Sequence, residues 1–389
     1  MRRREDELRA ERSRTRMKAI VIGGGIMGLS TAWGLARRGH EVELFEQGPL
    51  PNPLASSMDE HRLIRHPYGT HVGYARMIDD AYAAWDLLWS DLGQTLYEPS
   101  GTLALSGNGA DWAERSAAAL ASIGKPMTEL SMSELPRRFP LLDTKGLERA
   151  FWIDTGGVLL AQDIVTALVR HLGAQANVTL RGDTPVRTVD LEHGRIVTKA
   201  GATHDGDVVI VAAGAWAPRL LPALAMRVVP SRQVVIYFDL PEDQRAAWAR
   251  GPMIIEKTGD VGLYLVPPVR GRGMKVGDHE FSRSGDPAAT RDAQESEMRA
   301  LLDRCGNLLR GFDRWQVRNL KVCFYSVTGD ERFVVEKQGA KGWAMSPCSG
   351  HGFKFGALMG LELAQTIDGG RDATAHARWA AGLVGDGPT

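Results

Sequence analysis

Residues 18–28 read KAIVIGGGIMG, an apolar run followed directly by a cluster of glycines. The run is short and rich in β-branched residues, which is typical of a buried strand. Gly23, Gly25 and Gly28 have the G-x-G-x-x-G spacing of a dinucleotide-binding βαβ unit. There, the first glycine permits a tight turn, the second lets a pyrophosphate approach the backbone, and the third lets helix and strand pack closely. The sequence therefore predicts a strand, a glycine turn and a helix whose N-terminus faces phosphates.

The residues that follow complete this unit. A helix is predicted over residues 29–38 and a second strand over residues 41–45, which ends at Glu46. A carboxylate at that position can accept hydrogen bonds from both ribose hydroxyls of an adenosine, and it would repel a 2′-phosphate. We therefore predict a dinucleotide site that disfavours NADP. This part of the sequence does not distinguish FAD from NAD.

The composition excludes several classes of partner. The 389 residues include 47 basic and 47 acidic side chains, so no net field attracts nucleic acid or an anionic membrane. No apolar stretch approaches the roughly 20 residues that a membrane-spanning helix needs. Cys305, Cys323 and Cys348 are widely spaced, which excludes a zinc knuckle and a C-x-x-C disulfide and suits a reducing compartment. We expect a cytoplasmic protein without a metal site.

The chain is long enough for two domains, and its pattern indicates that they are interleaved. Residues 1–16 are almost wholly charged and are interpreted as a solvated extension. The expected fold class is α/β: a Rossmann-like cofactor-binding domain interleaved with an α+β substrate domain built on a mixed or antiparallel sheet. We assign residues 17–95, 146–225 and 321–389 to the cofactor domain and residues 96–145 and 226–320 to the substrate domain.

A second glycine turn supports FAD over NAD. Residues 207–216 read DVVIVAAGAW, which predicts a buried parallel strand that ends in a small-residue turn at Gly214. Such a turn is expected where the extended FAD molecule passes another strand end, whereas an NAD dehydrogenase does not require it.

Two arginines lie in the loop that follows the second strand. Arg62 and Arg65 are three residues apart, so on a helical turn both guanidinium groups would leave the same side. A basic surface turn is the alternative interpretation. The position favours a ligand contact, because ligands bind at the carboxyl edge of such a sheet.

A late strand carries three reactive side chains. Residues 319–326 are predicted as a strand whose period of two places Lys321, Cys323 and Tyr325 on one face. Taken alone, this strand favours the interpretation of a core cysteine beside a half-exposed tyrosine.

A glycine-rich loop precedes the last predicted helix, residues 357–367. Residues 349–356 read SGHGFKFG, and the glycines on both sides of His351 would allow a flat ligand to lie against the backbone. The start of the following helix, with Lys354 beside it, can stabilise an anion. A plain turn is the alternative interpretation, but it explains one glycine and not the two glycines, the histidine and the lysine together.

Taken in order, these motifs resemble the FAD-dependent amine oxidases of the D-amino-acid oxidase superfamily, and most closely its monomeric sarcosine oxidase and N-methyltryptophan oxidase branch. The resemblance runs from about Lys18 to the C-terminus. The matching blocks are residues 23–28 with Glu46, residues 62–66 with Tyr68, residues 213–216, Lys275 with His279, residues 323–325, and residues 349–354.

The resemblance implies a covalent cofactor and a carboxylate clamp. Cys323 would be bonded to the 8α carbon of the flavin, and Arg65 and Lys354 would bind the substrate carboxylate. Further cofactor contacts are implied for Gly23, Gly25, Gly28, Glu46, Gly214, Gly350, His351, Gly352 and Lys354. Arg62 would lie against the flavin ring and Lys275 near its N5 atom, with Tyr264, His279 and Tyr325 in the substrate cavity.

Two positions depart from the family pattern near the expected cavity. Relatives usually carry a histidine four residues before the first arginine, where this chain has Met58, and Pro347-Cys348 precedes the glycine-rich loop. These differences leave the substrate's identity open. Cys348 is the alternative attachment point, although we interpret it as a packing residue.

The expected function is the oxidation of a carboxylated secondary amine: sarcosine, another N-methyl amino acid or a cyclic imino acid. Hydride passes to FAD, and O₂ then accepts the electrons to give H₂O₂. The expected partners are the small amine and O₂, and the expected state is a monomer. The alternatives are a glycine or D-amino-acid oxidase, an FAD dehydrogenase with another acceptor, a nicotinamide-dependent dehydrogenase and a non-catalytic flavin-binding subunit.

Overall fold

The computed structural model describes residues 16–258 and 261–383, so the expected extension at residues 1–16 lies outside the described residues except for Arg16. The strands are β1 (Lys18–Ile22), β2 (Glu41–Phe45), β3 (Arg62–Ile64), β4 (Tyr97–Pro99), β5 (Thr102–Gly107), β6 (Thr128–Leu130), β7 (Leu147–Ile153), β8 (Gly157–Leu159), β9 (Val178–Arg181), β10 (Val186–Asp190), β11 (Arg195–Thr198), β12 (Thr203–Asp205), β13 (Val208–Val211), β14 (Val229–Asp239), β15 (Met253–Thr258), β16 (Leu263–Val266), β17 (Met274–Asp278), β18 (Gln316–Val327), β19 (Val334–Gln338) and β20 (Gly342–Ser346).

The described residues form ten α-helices, which lie between the strands and after the last strand. They are α1 (Ile26–Arg37), α2 (Val72–Leu92), α3 (Trp112–Ser122), α4 (Leu135–Arg138), α5 (Ala161–Gly173), α6 (Ala217–Leu220), α7 (Glu242–Ala249), α8 (Glu295–Leu308), α9 (Gly356–Ile367) and α10 (Ala373–Ala380). No helix of the described chain is long and apolar enough to cross a membrane.

The first sheet is built around the apolar run that opens the sequence. Its order within the described residues is β19-β20-β13-β1-β2-β9, and every neighbouring pair is parallel except β19 with β20. Helices α1 and α9 approach closely, because a Cβ atom on Gly34 would lie 2.6 Å from the carbonyl oxygen of Gly360. This is the expected Rossmann-like arrangement, with the glycine turn at the carboxyl end of β1.

A second, mixed sheet has the order β18-β14-β17-β16-β15-β5-β7-β6 among the described residues. All of its pairs are antiparallel except β15 with β5, which run parallel. One face packs with α8 around Ile254, Leu265 and Leu301. The opposite face carries Tyr237, Tyr264 and Val266. The expected α/β fold with a second mixed sheet is therefore confirmed.

The division into two domains stays a prediction at the level of its boundaries. Strand β7 and all of β18 pair within the second sheet. The expected boundaries place residues 146–225 and 321–389 in the cofactor domain, so sheet pairing would move β7 and the second half of β18 to the substrate domain.

The helical turn expected around Arg62 is wrong. Arg62, Leu63 and Ile64 form β3, which pairs antiparallel with β8. The partner strand lies almost a hundred residues further along the chain, so local spacing could not predict the pairing. Because alternate side chains of an extended chain point to opposite faces, the side chains of Arg62 and Arg65 leave the backbone in opposite directions, although both line the cavity.

Candidate active site

A cavity of about 790 Å³ is lined by residues of both large sheets. It extends from the glycine turn after β1, past the strand ends, to the loop that precedes α9. Its size lies within the roughly 300–1,000 Å³ typical of cofactor and ligand sites. Among the sequence-predicted residues, it brings together Gly23, Gly25, Glu46, Arg62, Arg65, Gly214, Tyr264, Lys275, His279, Tyr325, Gly350, His351, Gly352 and Lys354.

The glycines at one end are required by the packing of the chain itself. Gly23 has φ +113°, and a Cβ atom there would lie 2.4 Å from the carbonyl oxygen of Ala212. A Cβ atom on Gly28 would lie 1.9 Å from the carbonyl oxygen of Gly23. The turn therefore brings the start of α1 against the ends of β1 and β13, and leaves bare backbone at the cavity wall.

Glu46 is fixed at this wall by three donors. Its carboxylate accepts hydrogen bonds from Gly24 N at 2.6 Å, Asn52 Nδ2 at 2.8 Å and Gly48 N at 3.2 Å. A carboxylate offers about four lone-pair sites. The carboxylate as placed therefore has room for about one further donor, fewer than the two ribose hydroxyls that the sequence analysis assigned to it.

A buried ionic cluster lies below the middle of the cavity. Asp59 Oδ2 lies 2.5 Å from Lys275 Nζ and 2.9 Å from Arg62 Nη1. The hydroxyl of Tyr237 donates a hydrogen bond to Asp59 Oδ1. Lys275 also donates to the carbonyl oxygen of His61 at 3.1 Å. The cluster thus joins the loop before β3 to strands β14 and β17.

The cluster shifts the pKa values of its members. Burial alone would raise the pKa of the Asp59 carboxyl, but Arg62 and Lys275 outweigh it and hold that pKa below its ordinary value. Burial and the charge of Arg62 lower the pKa of Lys275 to about 8, against the attraction of Asp59. Asp59 is therefore the anion that keeps two cations charged in a dry environment.

One face of the second sheet carries most of the expected cavity residues. Directly paired residues share a face, and the register pairs Tyr264 with Gly277 and Val266 with Lys275. On β14, Ser231 pairs with Tyr325 and Gln233 with Cys323. His279 N donates to the Gly262 carbonyl, which extends the same face beyond β17.

The two cysteines near the cavity differ in accessibility. Cys323 is 2% exposed and packs with Tyr325 and Val327, whereas Cys348 lines the cavity. Burial raises the pKa of the Cys323 thiol, against the opposing effect of the nearby Arg62 charge. Ser326 N donates a hydrogen bond to Cys348 Sγ at 3.4 Å. Lys321, expected on the face of Cys323, donates to the carbonyl oxygen of Met58.

Arg65 and Lys354 offer free donors at the other end of the cavity. Arg65 is 7% exposed, and its Nε and Nη1 atoms have no hydrogen-bond partner among the described residues. Its guanidinium lies over the rings of Tyr68, at 4.7 Å, and Trp112, at 5.4 Å. Lys354 Nζ donates to Tyr68 Oη and to the His351 carbonyl, each at 3.0 Å. Burial and the charge of Arg65 hold the pKa of Lys354 well below its ordinary value.

The glycine-rich loop holds His351 by its ring. The ring stacks on Phe333 with centroids 4.5 Å apart, and Nε2 lies 3.0 Å from the carbonyl oxygen of Glu331. A Cβ atom on Gly352 would lie 1.9 Å from the carbonyl oxygen of Pro347. This glycine is therefore required by the turn itself, which is a different reason from the ligand approach that the sequence suggested. Gly350 faces Tyr325 across the cavity wall.

The wall fits FAD on its own chemistry. The glycine turn exposes backbone where phosphates approach, and the first turn of α1 contains no acidic residue that would repel them. At the other end of the cavity, the unpartnered nitrogens of Arg65 remain for a hydrogen-bond acceptor of the substrate, since buried donors without partners are costly. Gly23, Gly25, Glu46 and Gly214 line the cavity and would hold the nucleotide part.

Three residues in or beside the cavity could not be predicted from the sequence. Asp59 and Tyr237 belong to the ionic cluster, and Lys257 lines the cavity. The only local signal was the spacing of Asp59, three residues before Arg62. Lys257 lies in β15, a strand that the sequence analysis did not predict.

Comparisons with known proteins also indicate an FAD-dependent enzyme. The family model described as DAO, FAD dependent oxidoreductase, matches residues 18–366. Monomeric sarcosine oxidase of Bacillus sp. (strain NS-129) is 26% identical over 369 residues, which cover 92% of this chain and 94% of that protein. N-methyl-L-tryptophan oxidase of Yersinia pestis (strain Pestoides F) is 25% identical over 355 residues, which cover 88% and 92%. The solved structure of L-proline dehydrogenase from P. horikoshii shares the fold with a TM-score of 0.79 at 19% identity, over 95% of this chain and 98% of that one.

Proposed function

The chain belongs to the DAO family of FAD-dependent oxidoreductases, and from this premise we propose that it oxidises a carboxylated secondary amine. The proposed substrates are sarcosine, other N-methyl amino acids and cyclic imino acids. Relatives named for N-methylated amino acids at 25–26% identity support this class. The observation that carries the proposal is the pair of buried, unpartnered nitrogens on Arg65 beside the Lys354 ammonium.

Arg65 and Lys354 bind the carboxylate in this mechanism. A guanidinium presents parallel N–H donors that match both carboxylate oxygens, and an ammonium adds a point charge. Tyr68 orients both cations, because its ring lies under the Arg65 guanidinium and its hydroxyl accepts from Lys354. In this proposal Tyr264 and Tyr325 provide aromatic walls for the C–N unit, and the Trp112 ring packs against the Arg65 guanidinium.

FAD, when bound, accepts the hydride from the C–N unit and passes the electrons to O₂ to give H₂O₂. The oxidised substrate is an imine, which water hydrolyses. In our proposal Cys323 carries the cofactor through a thioether, and Lys275 provides a cation for the oxygen reaction. The expected monomer and cytoplasmic location stay predictions.

One observation favours a second candidate, a dehydrogenase that uses another acceptor. The contact of 2.5 Å between Asp59 and Lys275 partly neutralises the cation that would assist O₂. Anaerobic bleaching of the purified protein by a panel of N-methyl, cyclic and primary amino acids tests the amine chemistry. Peroxide formed per amine consumed then separates the candidates: a ratio near one supports the oxidase, and slow peroxide formation with rapid reduction of an artificial acceptor supports the dehydrogenase.

A further inference from the structure

The cavity contains a basic side chain that the proposed mechanism does not use. Lys257 lies in β15 and lines the cavity beside the substrate end. On β15 it shares a face with Ile255, which pairs with Tyr264. Lys257 therefore projects from the same sheet face as Tyr264 and Lys275.

Lys257 forms no direct ion pair within residues 16–258 and 261–383. Among the described residues, none places a carboxylate oxygen within 4.0 Å of its Nζ atom. Glu256 alternates to the opposite face and accepts from Leu263 N. Asp278 and Glu331 also border the cavity, but Asp278 lies 3.6 Å from Arg304. Among the described residues, the ammonium therefore has no carboxylate in direct contact and can bind a ligand anion.

Charges of both signs surround Lys257. Burial and the charge of Arg65 lower the pKa of its ammonium to about 8, and three carboxylates oppose this, those of Glu331, Glu256 and Asp278. Arg65 lies close enough for the two charges to repel each other, and His279 is near both. His279 Nε2 is buried and has no hydrogen-bond partner in the described parts of the chain. A single substrate carboxylate between Arg65 and Lys354 would leave the partly buried Lys257 ammonium without a directly bonded anion from the described residues.

Resting on the proposed function, we propose that Lys257 forms a second anion subsite, so that the preferred substrate is a secondary amine with two carboxylates. One carboxylate binds Arg65 and Lys354, and the other binds Lys257, with His279 as a further hydrogen-bonding group. The second carboxylate is carried either by the amino-acid side chain, as in N-methylaspartate and N-methylglutamate, or by the nitrogen substituent, as in iminodiacetate.

The test compares matched substrates on the holoenzyme and on variants. We expect kcat/KM for N-methyl-L-glutamate or iminodiacetate to exceed that for N-methyl-L-alanine by about ten- to a hundredfold, the range of one charged hydrogen bond. Lys257→Met should abolish this preference by lowering kcat/KM for the dicarboxylates, and Lys257→Arg should retain it. Lys337→Met, at an exposed position of β19, is the matched control. Whichever dicarboxylate is preferred identifies the source of the second carboxylate.

Binding without turnover provides an independent readout. Calorimetry on the holoenzyme should show that glutarate binds about tenfold more tightly than butyrate. In Lys257→Met, the two ligands should bind with equal affinity. Equal affinity in the wild type, or a preference that survives Lys257→Met, overturns the subsite. If no amine bleaches the flavin, the proposed function fails, while the glutarate comparison still decides whether Lys257 binds a second anion.

Discussion

Asp59 Oδ2 and Lys275 Nζ lie 2.5 Å apart with 1% of each side chain exposed, and they belong to segments 216 residues apart. Arg62 shares the same carboxylate. A buried ion pair contributes little net stability, but removal of one partner leaves an uncompensated charge. The pair therefore links the loop before β3 to the second sheet. Removal of one partner is expected to lower the free energy of unfolding substantially.

Asp59→Asn should lower the free energy of unfolding by about 3–5 kcal/mol, because Lys275 and Arg62 would lose their common anion. Urea denaturation of the holoenzyme measures this loss. Asp205→Asn, which removes the exposed partner of Arg195, should change stability little. Similar small losses in both variants would contradict the role of Asp59.

Arg65→Ala should raise KM for carboxylated amines by roughly ten- to a hundredfold, since a hydrogen bond to a charged group contributes about 1.5–3 kcal/mol. Lys354→Ala should act in the same direction. Steady-state kinetics measure both, with the flavin spectrum as a check that cofactor remains bound. Arg149→Ala, at an exposed ion pair with Glu129, is the control. Unchanged KM in both cavity variants would remove the clamp.

Cys323→Ser should release the flavin from acid-precipitated protein, whereas wild type and Cys348→Ser should retain the yellow colour. The reason is that a thioether survives acid, and serine supplies no sulfur for it. Absorbance of the supernatant after precipitation measures the release. Retention in Cys323→Ser with release in Cys348→Ser would transfer the attachment to Cys348, which lines the cavity.

Stability should fall in acid partly through His61. Burial and the charge of Lys275 lower the pKa of His61 to about 3 in the folded protein, while Asp59 opposes this and Arg272 adds to it. Below about pH 6.5 the unfolded chain binds a proton that the folded one does not, so stability is lost as pH falls from about 6.5 towards 3. Urea midpoints should therefore fall less steeply between pH 7 and 4 in His61→Gln than in wild type. A parallel decline would contradict this; His193→Gln, at an exposed site, serves as control.

The features that were predicted correctly from the sequence are those determined by residues close together in the chain. The strand, the glycine turn and the helix at residues 18–37 follow from a contiguous pattern, and Glu46 lies at the cavity wall as expected. The alternation in β18 correctly indicated that Cys323 and Tyr325 share a face. These features depend on neighbours within a few residues.

What the sequence missed depends on contacts between distant segments. The strand at Arg62 forms only because Gly157–Leu159 pairs with it. In the sequence, Asp59 is one acidic residue in a polar loop. Its role depends on the hydrogen bonds that the distant residues Lys275 and Tyr237 donate to it. The position of Lys257 at the cavity wall depends on the register between β15 and β16, which local sequence does not reveal.

The alternation of side chains along β15 has a practical consequence for enzyme engineering. Ile255 belongs to the cluster on the cavity side of the sheet, while Ile254 packs in the core with α8. Because Ile255 is fully buried whereas Lys257 lines the cavity, a mutagenesis library confined to position 257 would sample new selectivities without disturbing the scaffold that keeps the protein folded.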